Sequence, residues 1–133
     1  MKSKTYSLKN HGSVKLSANL LVSEFACHDG SDRILISSEL VYVVQSIRDH
    51  FGVPVSIQSG YRSPAHNKKV GGVKDSQHLL GTAADIKVKG KTPEQVFHAI
   101  NSGEVKGIDP NIMGVGLYPT FVHVDVRGNR ARW

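Results

Sequence analysis

Two stretches of the chain carry the spacing of apolar residues that is typical of an amphipathic helix. In residues 37–50 apolar side chains recur every three or four positions, and Gly52 would end the helix. A second helix is predicted for residues 92–103, with a threonine at its N-cap and Pro93 at the first helical position. A shorter helix is predicted for residues 63–69, again opened by a serine and a proline.

Other stretches predict strands. Residues 53–58 alternate apolar with smaller or polar side chains, and residues 83–88 read as a strand entering the core. Residues 114–128 predict two strands joined by a turn at residues 118–120. Residues 1–17 are polar, with spaced lysines and little periodicity, and are expected to form an extended lead-in. This pattern predicts an α+β fold, with a small and mainly antiparallel sheet flanked by helices.

Length and composition exclude several classes of protein. The 133 residues predict a single domain, residues 1–133. The longest apolar runs are far shorter than a membrane span needs, so we expect no membrane insertion. No apolar run follows the basic first residues, so we expect no signal peptide and synthesis in the cytoplasm. Because Cys27 is the only cysteine, any bound metal must be held by histidines and carboxylates.

The net charge of +6 indicates an anionic partner. Recognition of nucleic acid usually needs basic residues on one face with aromatic residues between them. Here the lysines and arginines are dispersed along the chain, and no nucleic-acid motif accompanies them. The charge therefore favours long-range attraction to an anionic cell-wall polymer over nucleic-acid binding.

Two segments carry side chains that could bind a metal. His78 lies in a predicted loop, and Asp85 follows it at the start of a strand where a lone carboxylate would be costly to bury without a cation. Alternation along the last predicted strand places His123, Asp125 and Arg127 on one face. Taken alone, that second pattern is typical of a face exposed to solvent.

In combination, the two segments supply two histidines and one aspartate. Three ligands of this kind are typical of catalytic zinc, which keeps a fourth position for water and lowers the pKa of that water to about 7. The chain has no His-Glu-x-x-His motif, which excludes the common zinc protease type built on it.

Three motifs also resemble a known family. They are SGYRS at residues 59–63, SxHxxGxAxD at residues 76–85 and HVD at residues 123–125. Over about residues 16–133 the chain is similar to peptidase family M15, the zinc D-Ala-D-Ala carboxypeptidases and cell-wall endopeptidases. That family includes phage endolysins and shares its fold with the hedgehog signalling domain.

The resemblance implies roles for individual residues. His78, Asp85 and His123 would bind zinc. Arg62 would contact the substrate carbonyl or carboxylate, and Ser76 would line the substrate site.

The general base is the one departure from the family pattern. Several branches of the family have an acidic base three residues before the last zinc histidine, where this chain has Thr120. Asp125 is the best substitute, because it shares a strand face with His123. It would either take a proton from the metal-bound water or orient a ligand, and we favour the catalytic role. Tyr61 is expected beside the cleft, as a substrate contact or a packing residue.

These residues predict a zinc-dependent peptidase that hydrolyses peptidoglycan stem peptides, as a D-Ala-D-Ala carboxypeptidase or as an endopeptidase. We expect a monomer that reaches the cell wall in the manner of a phage lysin. The alternative hypothesis is a non-catalytic, zinc-containing cell-wall-binding module of the same fold.

Overall fold

The computed structural model describes residues 3–133, and in them one five-stranded sheet forms the centre of the fold. Its strands are β5 (Val55–Ser59), β6 (Ala83–Val88), β7 (Gly114–Leu117), β8 (Val122–Asp125) and β9 (Ala131–Arg132). Their order is β5-β6-β8-β7-β9, and the pairs are antiparallel except β7 with β9. Two further antiparallel pairs join β1 (Ser3–Ser7) to β4 (Arg33–Ser37) and β2 (Lys15–Ser17) to β3 (Leu20–Leu21).

Four α-helices and three short 3₁₀ turns complete the described chain. The helices are α1 (Leu8–His11), α2 (Ser38–Phe51), α3 (Pro64–Lys69) and α4 (Pro93–Asn101). The 3₁₀ turns are Val22–Phe25, Gln77–Leu80 and Pro110–Ile112. Small, mainly antiparallel sheets with flanking helices confirm the predicted α+β fold. No helix among the described residues has the length and apolar character to cross a bilayer.

One face of the central sheet forms the floor of the core. Ala84, Val124 and Val115 lie directly opposite one another on β6, β8 and β7, and all three are fully buried. Helix α4 packs on these three strands, and α2 packs on β5 and β6. Because successive side chains of a strand point to opposite faces, the residues between these apolar positions are directed to the other side of the sheet.

The predicted helices are confirmed, together with the signals that begin and end them. Ser37 caps α2, and Gly52 ends it in the left-handed conformation, with φ +66°. Thr92 and Gln95 form a capping box at the start of α4, where Pro93 occupies the first turn.

The segment predicted as an extended lead-in is ordered into β1, α1 and β2. Its first two residues lie outside the described part of the chain. Ser7 caps α1, and Asp32 accepts hydrogen bonds from the Lys9 backbone N–H (2.8 Å) and the Ser7 hydroxyl (2.7 Å). Strand β1 pairs with β4, a strand that we did not predict. Because its partner lies more than 20 residues away in the sequence, the local pattern could not indicate this pairing.

Candidate active site

A row of residues crosses the central sheet on the face away from the apolar core. Ser59 on β5 lies opposite Asp85 on β6, Asp85 lies opposite His123 on β8, and His123 lies opposite Gly116 on β7. The polar face of β8 is covered, since His123 is 7% exposed and Asp125 is fully buried. Alternation alone suggested a solvent face here, and the fold instead makes it the base of a cleft.

His78 reaches this row from the 3₁₀ turn that precedes β6. The Ser76 hydroxyl caps the turn by accepting a hydrogen bond from the His78 backbone N–H (3.2 Å). The His78 Nδ1–H donates to the Gly60 carbonyl oxygen (2.7 Å), since a carbonyl can only accept. This bond orients the ring and directs its other nitrogen, Nε2, into the site, 3.3 Å from Asp85 Oδ1.

The three predicted metal ligands come together at this point. His123 Nδ1 lies 3.0 Å from Asp85 Oδ1, and one ligand atom from each of His78, Asp85 and His123 lies within 4.8 Å of the others. All three side chains are buried, and they line a cleft that is open to solvent. Two imidazole nitrogens and one carboxylate with open space beside them suit a catalytic zinc ion.

The charges of this group stabilise one another. Burial alone would raise the pKa of Asp85, but hydrogen bonds from His123 and His78 outweigh it and lower the pKa to about 2. Burial alone would lower the pKa of His123, but hydrogen bonds to Asp125 and Asp85 outweigh it and raise the pKa. In the metal-free protein the carboxylate is therefore ionised at neutral pH and available as a ligand.

Asp125 lies on the other ring nitrogen of His123. Its Oδ2 accepts from His123 Nε2 (2.8 Å) and Arg127 Nη2 (2.7 Å), and its Oδ1 accepts from Arg127 Nε (2.9 Å) and from the backbone N–H groups of Gly114 (3.0 Å) and Arg127 (3.2 Å). Burial opposes its ionisation, but the Arg127 and His123 hydrogen bonds hold the pKa of Asp125 well below its usual range.

This placement conflicts with the catalytic role that we favoured for Asp125. A general base must come within hydrogen-bond reach of the proton that it removes. The Asp125 carboxylate is fully buried, has two or more donors on each oxygen, and contacts the side of the His123 ring away from Asp85. The geometry fits the alternative, a carboxylate that orients a ligand.

Arg62 lies beside the carboxylate of Asp85. Its Nη2 lies 3.4 Å from Asp85 Oδ2, its Nε donates to the Ser59 hydroxyl (3.1 Å), and its Nη1 donates to Asn67 Oδ1 (3.3 Å). The side chain is 17% exposed and lines the cleft.

The cleft has a volume of about 500 Å³. Ser76 is part of its wall. Tyr61 is not part of the wall: it is 5% exposed and packs in the hydrophobic core, which fits the packing alternative. Tyr118 lines the cleft instead.

Two residues of the cleft were missed by the sequence reasoning. Arg127 lies in the cleft wall and donates hydrogen bonds to Asp125. The alternation that places Arg127 on the same face as His123 and Asp125 was the signal that could have indicated its role. Trp133 also lies in the wall, with its ring centroid 5.0 Å from that of His123. No local pattern marks Trp133, since the pairing of β9 with β7 brings it there.

Comparison with known families agrees with the site. A family model described as Peptidase M15 matches residues 15–125, most of the chain, and this span includes all three candidate ligands and Arg62. A search of curated proteins finds no match. The family match confirms the resemblance carried by the three motifs, and the chain therefore belongs to peptidase family M15.

Proposed function

We propose that this protein is a zinc-dependent peptidase that hydrolyses peptidoglycan stem peptides, as a D-Ala-D-Ala carboxypeptidase or as an endopeptidase. Membership of the M15 family supports peptidase activity. The observation that carries the proposal is the buried group of His78, Asp85 and His123, whose ligand atoms lie within 4.8 Å of one another at the base of an open cleft.

His78 Nε2, His123 Nδ1 and the Asp85 carboxylate would hold the zinc ion. A zinc ion held there would acidify a water molecule and polarise the peptide carbonyl. Each ligand is itself held by an outer group: the Gly60 carbonyl binds His78, Asp125 binds His123, and Arg62 lies against the second oxygen of Asp85. Outer groups of this kind fix the orientation of metal ligands, and this supports a preformed site.

Arg62 is proposed to contact the substrate. Three of its five N–H groups are directed at Ser59, Asn67 and Asp85, and the side chain faces the cleft with the others. The remaining donors suit a peptide carbonyl oxygen or a terminal carboxylate. A carboxylate pairing would make the enzyme a carboxypeptidase, and a carbonyl contact would suit an endopeptidase.

Metal content is the first test. The purified protein, stripped with a chelator and reloaded, is expected to bind one zinc ion by atomic absorption, whereas His78→Ala is expected to bind none. His98→Ala is the matched control, because His98 is 75% exposed on α4 and pairs with Glu104. A wild-type protein that takes up no zinc would remove the proposal.

Mass spectrometry of defined stem peptides incubated with the zinc-loaded protein identifies the peptide bond that is hydrolysed. Loss of the terminal D-alanine indicates a carboxypeptidase, and an internal fragment indicates an endopeptidase. Asp75→Asn belongs in the same experiment, because Asp75 is the other carboxylate among the described residues that line the cleft.

Two observations favour a second candidate function, a non-catalytic zinc-containing module that binds the cell wall. Thr120 stands where several branches of the family carry an acidic base, and Asp125 is fully engaged by its neighbours. Zinc-loaded protein that sediments with purified cell walls but releases no peptide from them, or from the defined stem peptides, would support this alternative.

A further inference from the structure

The indole of Trp133 packs against the ring of the candidate ligand His123. Their centroids are 5.0 Å apart, with 48° between the ring planes. The Arg127 guanidinium carbon lies 5.1 Å from the indole centroid, and Trp133 Nε1–H donates to the Tyr118 hydroxyl (2.8 Å). The family match ends at residue 125, so it assigns nothing to this side chain.

The backbone holds a place for this indole. Gly116 lies opposite His123 in the sheet, and a Cβ atom on Gly116 would come within 2.5 Å of Trp133 Nε1. The Trp133 backbone N–H donates to the Val115 carbonyl (3.3 Å), and its carbonyl accepts from the Leu117 N–H (2.8 Å). Because Gly116 has no side chain, there is room for the indole beside His123. The two main-chain hydrogen bonds hold Trp133 in this position.

From these contacts we infer that Trp133 is a positioning residue for His123, an inference that rests on the proposed function. Hydrogen bonds to Asp85 and Asp125 restrain the imidazole within its own plane. They resist tilting out of that plane only weakly, whereas a neighbouring ring resists it directly. The indole also packs on the guanidinium of Arg127, which holds Asp125, so it supports the histidine by two routes.

Zinc affinity tests this role directly. In competition with a chromophoric chelator, Trp133→Ala is expected to bind zinc about tenfold more weakly than the wild type, the lower end of the range for outer-sphere partners of metal ligands. Trp133→Phe keeps an aromatic ring and is expected to restore most of the affinity. Tyr42→Ala is the control, because Tyr42 is a large aromatic side chain, 57% exposed, outside the cleft.

Two further measurements separate positioning from a general loss of structure. The visible spectrum of the cobalt-substituted protein should change in Trp133→Ala and not in Tyr42→Ala, because it reports ligand geometry. Gly116→Ala keeps the indole but displaces it, and is expected to weaken zinc binding as well. Wild-type zinc affinity and cobalt spectrum in both variants would overturn the inference, whereas a wild type that binds no zinc would instead overturn the proposed function.

A separate observation concerns a groove of about 510 Å³ beside the cleft. Phe121 lines both cavities. Lys87, Lys89 and Lys91 line the groove, no acidic side chain does, and none of the three lysines forms an ion pair within residues 3–133. Its remaining lining includes apolar side chains, namely Ile86, Val88, Val96 and Val122.

We propose that this lysine groove binds a carboxylate-bearing part of the substrate peptide while the scissile bond lies in the cleft. This proposal also rests on the proposed function. Phe121 lines both cavities, so they adjoin, and the three lysines of the groove attract carboxylates. The occupant is an acidic stem peptide, because its chain is the one that the neighbouring cleft would hold.

A matched pair of triple variants tests the groove. Lys87→Gln, Lys89→Gln and Lys91→Gln together remove three charges from it, and Lys4→Gln, Lys9→Gln and Lys15→Gln remove the same charge elsewhere. Binding of a labelled acidic stem peptide, measured by fluorescence anisotropy, is expected to weaken about tenfold only in the groove variant.

The second part of the experiment uses the same peptide with its side-chain carboxylates amidated. The groove variant should bind this peptide with the same affinity as the wild type. Equal loss in both triple variants, or equal loss with both peptides, would contradict the proposal. Because the assay measures binding, a protein that binds normally but cleaves nothing would overturn the proposed function and leave the groove in place.

Discussion

Asp125→Ala should destabilise the protein and weaken its metal site together. The substitution removes the acceptor of five hydrogen bonds, two of them a bidentate pair with Arg127. Breaking a buried ion pair by removing one partner typically costs 3–5 kcal/mol, because the other charge is left uncompensated. Arg127 is 25% exposed and can regain water, so we expect the low end, about 3 kcal/mol of the free energy of unfolding.

The assay is urea unfolding of the metal-free protein combined with a zinc titration. Asp125→Ala is expected to lower zinc affinity by about 10- to 100-fold, since His123 Nε2 loses its acceptor. Asp125→Asn keeps the shape of the side chain but replaces one acceptor oxygen with a donor that faces other donors. Its stability and its zinc affinity should therefore lie between those of the wild type and of the alanine variant. Glu94→Gln, at an exposed carboxylate in the first turn of α4, is the control.

Two outcomes would refute this reasoning about Asp125. Wild-type stability and zinc affinity in both variants would mean that the hydrogen-bond network does not act as described. Unchanged zinc affinity with kcat reduced by a factor on the order of 10³ at saturating zinc would make Asp125 the general base. The positioning role predicts that saturating zinc restores most of kcat.

Three further predictions concern stability. Gly81→Ala is expected to cost about 3 kcal/mol in thermal or urea unfolding, because Gly81 has φ +73° and an added Cβ would overlap the Leu35 carbonyl; a loss below about 1 kcal/mol would contradict this. The pKa of Asp85 is lowered from 3.8 to about 2 in the folded state, so the metal-free protein should lose stability in urea as the pH falls through this range. Stability that does not change over this pH range would count against the hydrogen bonds to Asp85. Thr92→Ala should cost about 1 kcal/mol through loss of the α4 cap and leave zinc affinity unchanged, which equilibrium unfolding and the chelator assay would check.

The parts of the fold that could be predicted are those whose signals are local. The periodicity and caps of α2 and α4 lie within the helices themselves, and the alternation of β6 and β8 lies within each strand. Because a lone carboxylate is costly to bury, the sequence also indicated that Asp85, at the start of a strand, needs a partner. The fold then places His123 opposite Asp85.

The parts that could not be predicted depend on contacts distant in sequence. Tyr61 adjoins Arg62, which suggested a shared cleft, but the tyrosine packs into the core while the arginine lines the cleft. Neighbouring residues of an extended chain point in opposite directions, which accounts for the difference. Trp133 reaches the site only because β9 pairs with β7. The donors to Asp125 include the Gly114 N–H, which lies on a neighbouring strand.

The row of Ser59, Asp85, His123 and Gly116 means that two of the candidate ligands take their spacing from the hydrogen-bond ladder of the sheet. A slip of one residue between β6 and β8 would turn polar side chains into the core and valines into the cleft. A shifted register would therefore not keep Asp85 and His123 together as metal ligands. Engineers who wish to alter substrate preference should therefore leave these strands intact. Val70, Val73, Asp75 and Phe121 are the positions to diversify, because they line the cleft from outside these strands.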